Sequence, residues 1–211
     1  MRVISLLSTK GGAGKTSLST HLAIKAGQEG KVVALIDIDP QGSLSEWHKS
    51  RNADTPLLAK CTASDLPDVL QECRENDIDF VIIDNAPHSS EQALKAAKLS
   101  DFALIPTRPT ILDLRAVESS LNIVKQAKCK HAVVLSACPP PRGFGESAVV
   151  TDARRILISD YGVLIWDKCV VQRAAYQYSL IDGQGVTEYE PDSKAAAEID
   201  ALWIWIQGLL K

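Results

Sequence analysis

The stretch Ser8-Thr9-Lys10-Gly11-Gly12-Ala13-Gly14-Lys15-Thr16-Ser17 decides how this chain is read. It follows the apolar run Val3-Ile4-Ser5-Leu6-Leu7 and precedes a helix-like segment from Leu18 to Ala26. Strand, glycine-rich turn and helix in that order are what a phosphate-cradling loop requires. Gly11, Gly12 and Gly14 have no Cβ, so the backbone can take positive φ and turn its N–H groups inward. With the helix N-terminus behind them, those groups form a concavity for anionic oxygens. Lys15 is then placed to reach β- and γ-phosphates, and the Thr16 hydroxyl to ligate Mg²⁺. The nucleotide-binding candidates are Lys10, Gly11, Gly12, Ala13, Gly14, Lys15, Thr16 and Ser17. Against the common pattern G-x-x-x-x-G-K-[ST], the first glycine position is Thr9, and a second lysine, Lys10, stands at the head of the loop.

At 211 residues, with 45% hydrophobic and 23% charged residues, the chain reads as one globular domain spanning 1–211. A net charge of -3 argues against coating nucleic acid by bulk positive charge, so any DNA contact needs a local patch. Five cysteines without a C-x-x-C pair read as reduced, packed thiols of a cytosolic protein. Apolar runs stay short of membrane-spanning length, and a strand starting at Arg2 leaves no room for a signal peptide.

Short apolar runs alternate with helical patterns. The strands expected are Val3–Leu7, Val32–Ile36, Phe80–Ile83, Phe102–Ile105, Val133–Leu135 and Val163–Ile165. The helices expected are Thr16–Gln28, Asp65–Glu75, Ser90–Leu99, Leu112–Ala127, Glu146–Ser159, Arg173–Ile181 and Ser193–Leu210. Nearly all-apolar strands are covered on both faces, so the fold class is α/β: a three-layer, mostly parallel twisted sheet flanked by helices. Ligands of such sheets bind outside the carboxyl ends of the strands. The glycine loop, Asp37-Ile38-Asp39 and Asp84 all fall at such ends.

Val32 to Ile36 runs into Asp37-Ile38-Asp39-Pro40-Gln41-Gly42, two carboxylates spaced to flank one cleft; alone, this is also a common strand exit with solvated acids. Phe80-Val81-Ile82-Ile83-Asp84 is a Walker B pattern, and Mg²⁺ accepts few carboxylates, so Asp84 is expected to act through a water. Thr16, Asp37, Asp39 and Asp84 are the metal-site candidates. His88 is read as flanking the helix begun by Ser89 or Ser90 rather than as a base. Ile105-Pro106-Thr107-Arg108-Pro109-Thr110-Ile111-Leu112-Asp113 leaves a strand stiffened by two prolines.

These motifs together resemble the ParA/MinD family of deviant Walker A ATPases, KGGxxK[ST], and most of all the small ParA-type, ParF-like partition proteins. The first switch of that family is written DxDPQG, as here. The departures are Asn85-Ala86-Pro87 in place of D-x-P-P, and Thr110-Ile111 in place of Ser-Pro in the proline-rich segment. The likeness continues through Gln172-Arg173-Ala174-Ala175-Tyr176 and Gly183-Gln184-Gly185-Val186-Thr187-Glu188 to the last helix.

The resemblance implies a P-loop ATPase using ATP and Mg²⁺, with Lys10, Lys15 and Asp39 as its catalytic residues. Lys10 would cross to the phosphates of a twin subunit in an ATP-dependent sandwich homodimer. Asp39 would orient or deprotonate the attacking water, and Asp37 would lie near the Mg²⁺ shell. The family role is partition of plasmid or chromosomal DNA. The dimer binds DNA non-specifically, and a ParB-like centromere-binding adaptor stimulates slow hydrolysis. The setting is the bacterial cytoplasm, on the nucleoid when ATP is bound. Candidate DNA contacts are Arg142, Arg154, Arg155, Lys168 and Arg173, diluted by Glu146, Asp152, Asp160 and Asp167. Rival readings keep the motor and change the cargo to a carboxysome or chemotaxis array, or move it to a membrane as in MinD. That last role wants a basic amphipathic tail, whereas Ala201-Leu202-Trp203-Ile204-Trp205-Ile206 is apolar on nearly all sides and reads as a helix docked on the domain. Further alternatives are a metabolic ATP-dependent ligase, a non-hydrolysing nucleotide switch, and a cluster-bearing reductase that would need Cys129 and Cys138 placed to bridge subunits.

Overall fold

The computed structural model describes residues 1–87, 89–141 and 145–211, so His88 and Arg142 lie outside the described residues. Six strands form one sheet in the order β3-β2-β4-β1-β5-β6, every neighbouring pair parallel. They are β1 (Arg2–Leu6), β2 (Val33–Asp37), β3 (Leu57–Lys60), β4 (Phe80–Asp84), β5 (Phe102–Thr107) and β6 (Lys130–Leu135). The sheet is wholly parallel, as continuous apolar strands demand when both faces are covered. Alternate residues of each strand enter opposite layers. On one face Ile4, Leu6, Leu35, Ile82, Leu104 and Val134 pack against α1 (Lys15–Gln28) and the C-terminal helices. On the other, Val3, Ile36, Val81 and Ile83 pack against α3 (Leu66–Glu75), and Ile105, Val133 and Leu135 against α5 (Ile111–Ala127) and α6 (Ala148–Tyr161).

The strand order reverses between β4 and β1. The chain leaves β1 through α1 toward β2, and leaves β4 through α4 (Ser90–Lys98) toward β5, on the other side. That divergence opens a crevice at the carboxyl edge. Register fixes what meets there: Leu6 of β1 lies opposite Asp84 of β4, and Asp84 opposite Asp37 of β2.

Three elements were not expected from sequence. The helix α2 (Ser43–Ser50) has eight residues and buries only Leu44, Ser45 and Trp47. The edge strand β3 has four residues, Leu57 and Lys60 exposed and Leu58 and Ala59 half-exposed. The single turn α8 (Val186–Tyr189) is too short for helical periodicity to show. The strand expected at Val163–Ile165 is not formed. Ile165 makes one isolated parallel bridge to Val133, and Val171 another to Cys138. Backbone bonds to β6 lapse between Trp166 and Val170, where Arg154 donates to the carbonyls of Trp166 and, at 3.2 Å, Lys168.

The last third is docked by specific bonds. In α9 (Lys194–Leu209), Trp203 is fully buried, meets Phe80 edge-on at 5.0 Å and donates its indole N–H to Glu29 at 3.0 Å. Trp205 tilts over Trp166. The Arg51 side chain, itself buried, grips Glu188 through two nitrogens at 2.7 and 2.9 Å and donates to the Gly183 carbonyl at 2.9 Å. Glu188 also accepts from the Gly185 N–H at 3.0 Å. The Gly-x-Gly-x-x-Glu spacing is therefore a clamp between α2 and α8. His21, fully buried in α1, accepts from the Val186 N–H at 3.1 Å, so its proton sits on Nε2. Burial pushes the imidazole down to about 3. Among the described helices, none is long and apolar enough to cross a membrane.

A Cβ on Gly183 would meet the Ser50 and Arg51 backbone at 2.5 Å, at a φ of +67. Gly183→Ala is expected to lower stability by about 2–4 kcal/mol in urea denaturation. Gly27, inside α1 with open space around it, is the control. Gly27→Ala is expected to raise stability by about 0.5–1 kcal/mol in the same measurement.

Candidate nucleotide site

The head of the glycine loop is pinned to α5. The Thr9 N–H and hydroxyl donate to Ser120 Oγ and the Ala116 carbonyl, each at 3.2 Å. Threonine at the first glycine position is thus a tether, a role no pattern in the sequence signals. Past it, Gly12 at φ 73 and Gly14 at φ 92 take conformations that favour glycine. Ser136, just beyond β6, donates its hydroxyl to the Ala13 carbonyl at 2.7 Å and fixes the loop from the other side. Lys15 opens α1, and its ammonium folds back to donate to the Lys10 carbonyl at 3.3 Å. Burial pushes the Lys15 pKa down, against the pull of Asp84 and Asp39. Lys10 is half-exposed and, among the described residues, its ammonium has no ion pair.

Thr16 donates its hydroxyl to Asp84 Oδ2 at 2.6 Å. Asp84 is 1% exposed, and its other oxygen, Oδ1, is buried without a partner among the described residues. Burial pushes its pKa up to about 7, although Thr16 and Lys15 pull it down. An unpartnered buried carboxylate oxygen beside a threonine hydroxyl is a fit for a hydrated divalent cation, which needs few protein ligands. Asp37 has a different job. Its Oδ1 accepts from the Asp39 N–H at 3.1 Å, and its Oδ2 from the Ser45 N–H and hydroxyl at 3.0 and 2.6 Å. Both oxygens of the expected metal neighbour are taken up in building the turn that presents Asp39. Asp39 remains half-exposed, with Oδ1 accepting from the Gln41 N–H. Asn85, a departure from the family pattern, donates to Ser5 Oγ and the Leu6 carbonyl and binds the β4 exit to β1.

A cleft of about 660 Å³ beside the glycine loop is lined by Gly12, Gly14, Arg108 to Thr110, Ser136, Ala137, Pro139, Val170 to Arg173 and Tyr176. Apolar and half-polar walls beside a phosphate loop suit a planar base and a sugar. Sequence reasoning did not join Arg108 to Thr110, Ser136 to Pro139 and Val170 to Tyr176 into one lining, because they come from separate segments.

Of the expected basic contacts, three are ion-paired among the described residues. Arg154 is held by Glu146 at 2.7 Å and by two carbonyls, and Arg173 by Glu198 at 2.6 and 3.0 Å. Both arginines are tied into the fold by these partners. Arg155 is exposed but paired with Asp152 at 2.8 Å, and Lys168 is exposed. Cys138 is fully buried and Cys129 nearly so, at opposite ends of β6, so neither thiol is placed to bridge subunits.

Asp84 and His21 pull the pH dependence of stability in opposite directions. Asp84, raised from 3.8 to about 7, stabilises the fold as pH falls from 7 to 4, because the native state holds a proton the unfolded chain lacks. His21, lowered from 6.5 to about 3, destabilises it as pH falls below 6.5. Each slope is about 1.4 kcal/mol per pH unit, so the two nearly cancel between pH 6.5 and 4. In nucleotide-free protein, Asp84→Asn is expected to raise stability by about 2–4 kcal/mol at pH 8. That advantage over wild type should shrink steadily toward pH 4 in urea denaturation curves.

A family model described as the CobQ/CobB/MinD/ParA nucleotide binding domain matches residues 4–183. The maintenance of carboxysome distribution protein A of Halothiobacillus neapolitanus is 31% identical over 208 residues, covering 92% of this chain and 91% of that one. Protein ParA of Rhizobium radiobacter is 29% identical, covering 83% and 81%. Among solved structures, MinD of Pyrococcus horikoshii complexed with Mg-ADP superposes with a TM-score of 0.79 at 19% identity, covering 99% and 96%. A complex of a Cyanothece McdA variant with ATP gives 0.77 at 17%, covering 95% of each chain. The six parallel strands, the loop between β1 and α1 and the matched length agree: the chain belongs to the CobQ/CobB/MinD/ParA family of nucleotide-binding proteins.

Proposed function

We propose that this protein is a ParA-type ATPase that hydrolyses ATP to ADP and phosphate with Mg²⁺ and uses the cycle to segregate plasmid or chromosomal DNA. The observation that carries the reading is the joining of Thr16 to Asp84 at 2.6 Å beneath a loop bearing both Lys10 and Lys15. ATP supplies the electrophilic γ-phosphorus, and Mg²⁺ neutralises charge on the phosphate oxygens. The chain's part is positioning. The loop amides and the α1 N-terminus bind phosphate oxygens, and Lys15 neutralises them from within. Thr16 and Asp84 hold the cation's shell. Asp39, kept half-exposed by the Asp37 turn, orients a water or takes its proton. Lys10, without an ion pair among the described residues, is available to the phosphates of a second copy, so that full turnover belongs to a homodimer. Such a dimer would bind DNA non-specifically on the bacterial nucleoid until a ParB-like adaptor stimulates hydrolysis.

The second reading keeps this motor and changes its cargo to a protein compartment. It is favoured by the 31% identity to a protein named for carboxysome distribution. The two separate by which partner accelerates hydrolysis, a small centromere-binding adaptor or a compartment-associated one.

Lys15→Ala and Asp39→Ala are each expected to lower the ATP turnover of the purified protein by about 10²-fold or more. Lys10→Ala should keep nucleotide binding and lose ATP-dependent dimerisation in light scattering. Wild-type turnover in both Lys15 and Asp39 variants would remove the ATPase assignment.

A further inference from the structure

A third cation stands at the phosphate loop, and neither the sequence motifs nor the family pattern assigns it. Arg108 leaves β5 and turns back onto α5. Its Nε and Nη2 donate to Asp113 Oδ2 and Oδ1, each at 3.1 Å, in a two-pronged fork. Asp113 is 4% exposed and is itself held by Thr110, whose hydroxyl donates to Oδ2 and accepts from the Asp113 N–H at 3.3 Å. Burial pushes the Asp113 carboxyl up, but the hydrogen bonds from Thr110 and Arg108 outweigh it and hold the group below its usual range. The guanidinium plane is therefore fixed, and one nitrogen is left over. That nitrogen, Nη1, lies 3.9 Å from where a Cβ on Gly12 would sit. Arg108 also lines the cleft that Gly12, Gly14, Ser17 and Ser136 share.

We propose that Arg108 is a phosphate-contacting residue of the nucleotide site, pre-oriented by Asp113 so that its free edge faces the oxygens the loop would bind. This rests on the nucleotide-binding reading of the loop. A guanidinium keeps its charge under all relevant conditions and presents planar donors suited to phosphate. A fork to Asp113 takes two of its nitrogens and spares the third, so the same residue can hold its place and still bind. The pair with buried Asp113 anchors the residue, and the spare nitrogen beside Gly12 is what points to a ligand.

The test is titration calorimetry of wild type, Arg108→Ala and Arg108→Lys with Mg-ADP, and competition by adenosine, which has the base and sugar but no phosphate. Arg108→Ala is expected to weaken Mg-ADP about tenfold and flatten its salt dependence. Adenosine should change by less than about twofold, which also shows that the variant keeps its fold. Arg108→Lys should fall between, since it keeps the charge and loses the fork. Unchanged Mg-ADP affinity in Arg108→Ala, or an equal loss for adenosine and Mg-ADP, would overturn the proposal. Failure of the wild type to bind Mg-ADP would overturn the nucleotide reading with it, and is visible before any variant is compared.

Discussion

Taking the Asp84 carboxylate out of water is the constraint around which the rest is arranged. A buried carboxylate with one unpartnered oxygen is unfavourable unless something positive completes it. Thr16 supplies one donor and Lys15 a nearby charge, and together they leave Oδ1 open. Lys15 is in the same position in reverse, a buried ammonium whose own pKa is pushed down. Neither group is fully compensated by the other, so the chain alone holds poorly satisfied charges that a hydrated cation and a polyanion would both relieve. Part of the binding free energy of such ligands is then the removal of a penalty already present in the fold.

That arrangement is a consequence of topology. The ends of β1 and β4 lie side by side at the point where the crossovers that follow them leave in opposite directions. Register then sets Leu6, Asp84 and Asp37 in one row. The two aspartates differ in the segments that come after them. Asp37 precedes a tight turn that delivers the Ser45 N–H and hydroxyl, and its charge is absorbed. Asp84 precedes Asn85, whose amide turns away to β1, and its charge is left. Two acids with the same strand-end signature thus acquire different chemistry from their neighbours.

The sequence made the phosphate loop and the parallel α/β architecture legible because both are written locally: glycines that need positive φ, and strands apolar on both faces. It could not show that Thr9 is a tether, that Asp37 is saturated, or that Arg108 reaches the loop. Each of these depends on partners about 5 to 111 residues away, brought together by the fold. The short elements α2, β3 and α8 were hidden for a related reason. The clamp at Arg51 and Glu188 and burial of Leu44 and Trp47 hold α2 and α8, and pairing with β2 holds β3; none shows a periodic pattern of its own.

The basic residues of the last third illustrate why charge in a sequence is a weak guide to an interaction surface. The segment after α6 pairs with β6 only in part: the Trp166 N–H donates to the Val133 carbonyl, Val170 to Leu135 and Gln172 to Cys138, and carbonyls between these bonds need other donors. Arg154 meets two of them, at Trp166 and Lys168, while Glu146 balances its charge. Glu198 receives the Val171 N–H together with Arg173 and the Tyr176 hydroxyl. These arginines are where they are because a planar, permanently charged donor can satisfy several acceptors at once. Their charge is already answered inside the chain. The same segment supplies Val170, Val171 and Gln172 to the cleft beside the glycine loop, so the ties made by Arg154 and Arg173 hold part of the lining of the candidate site.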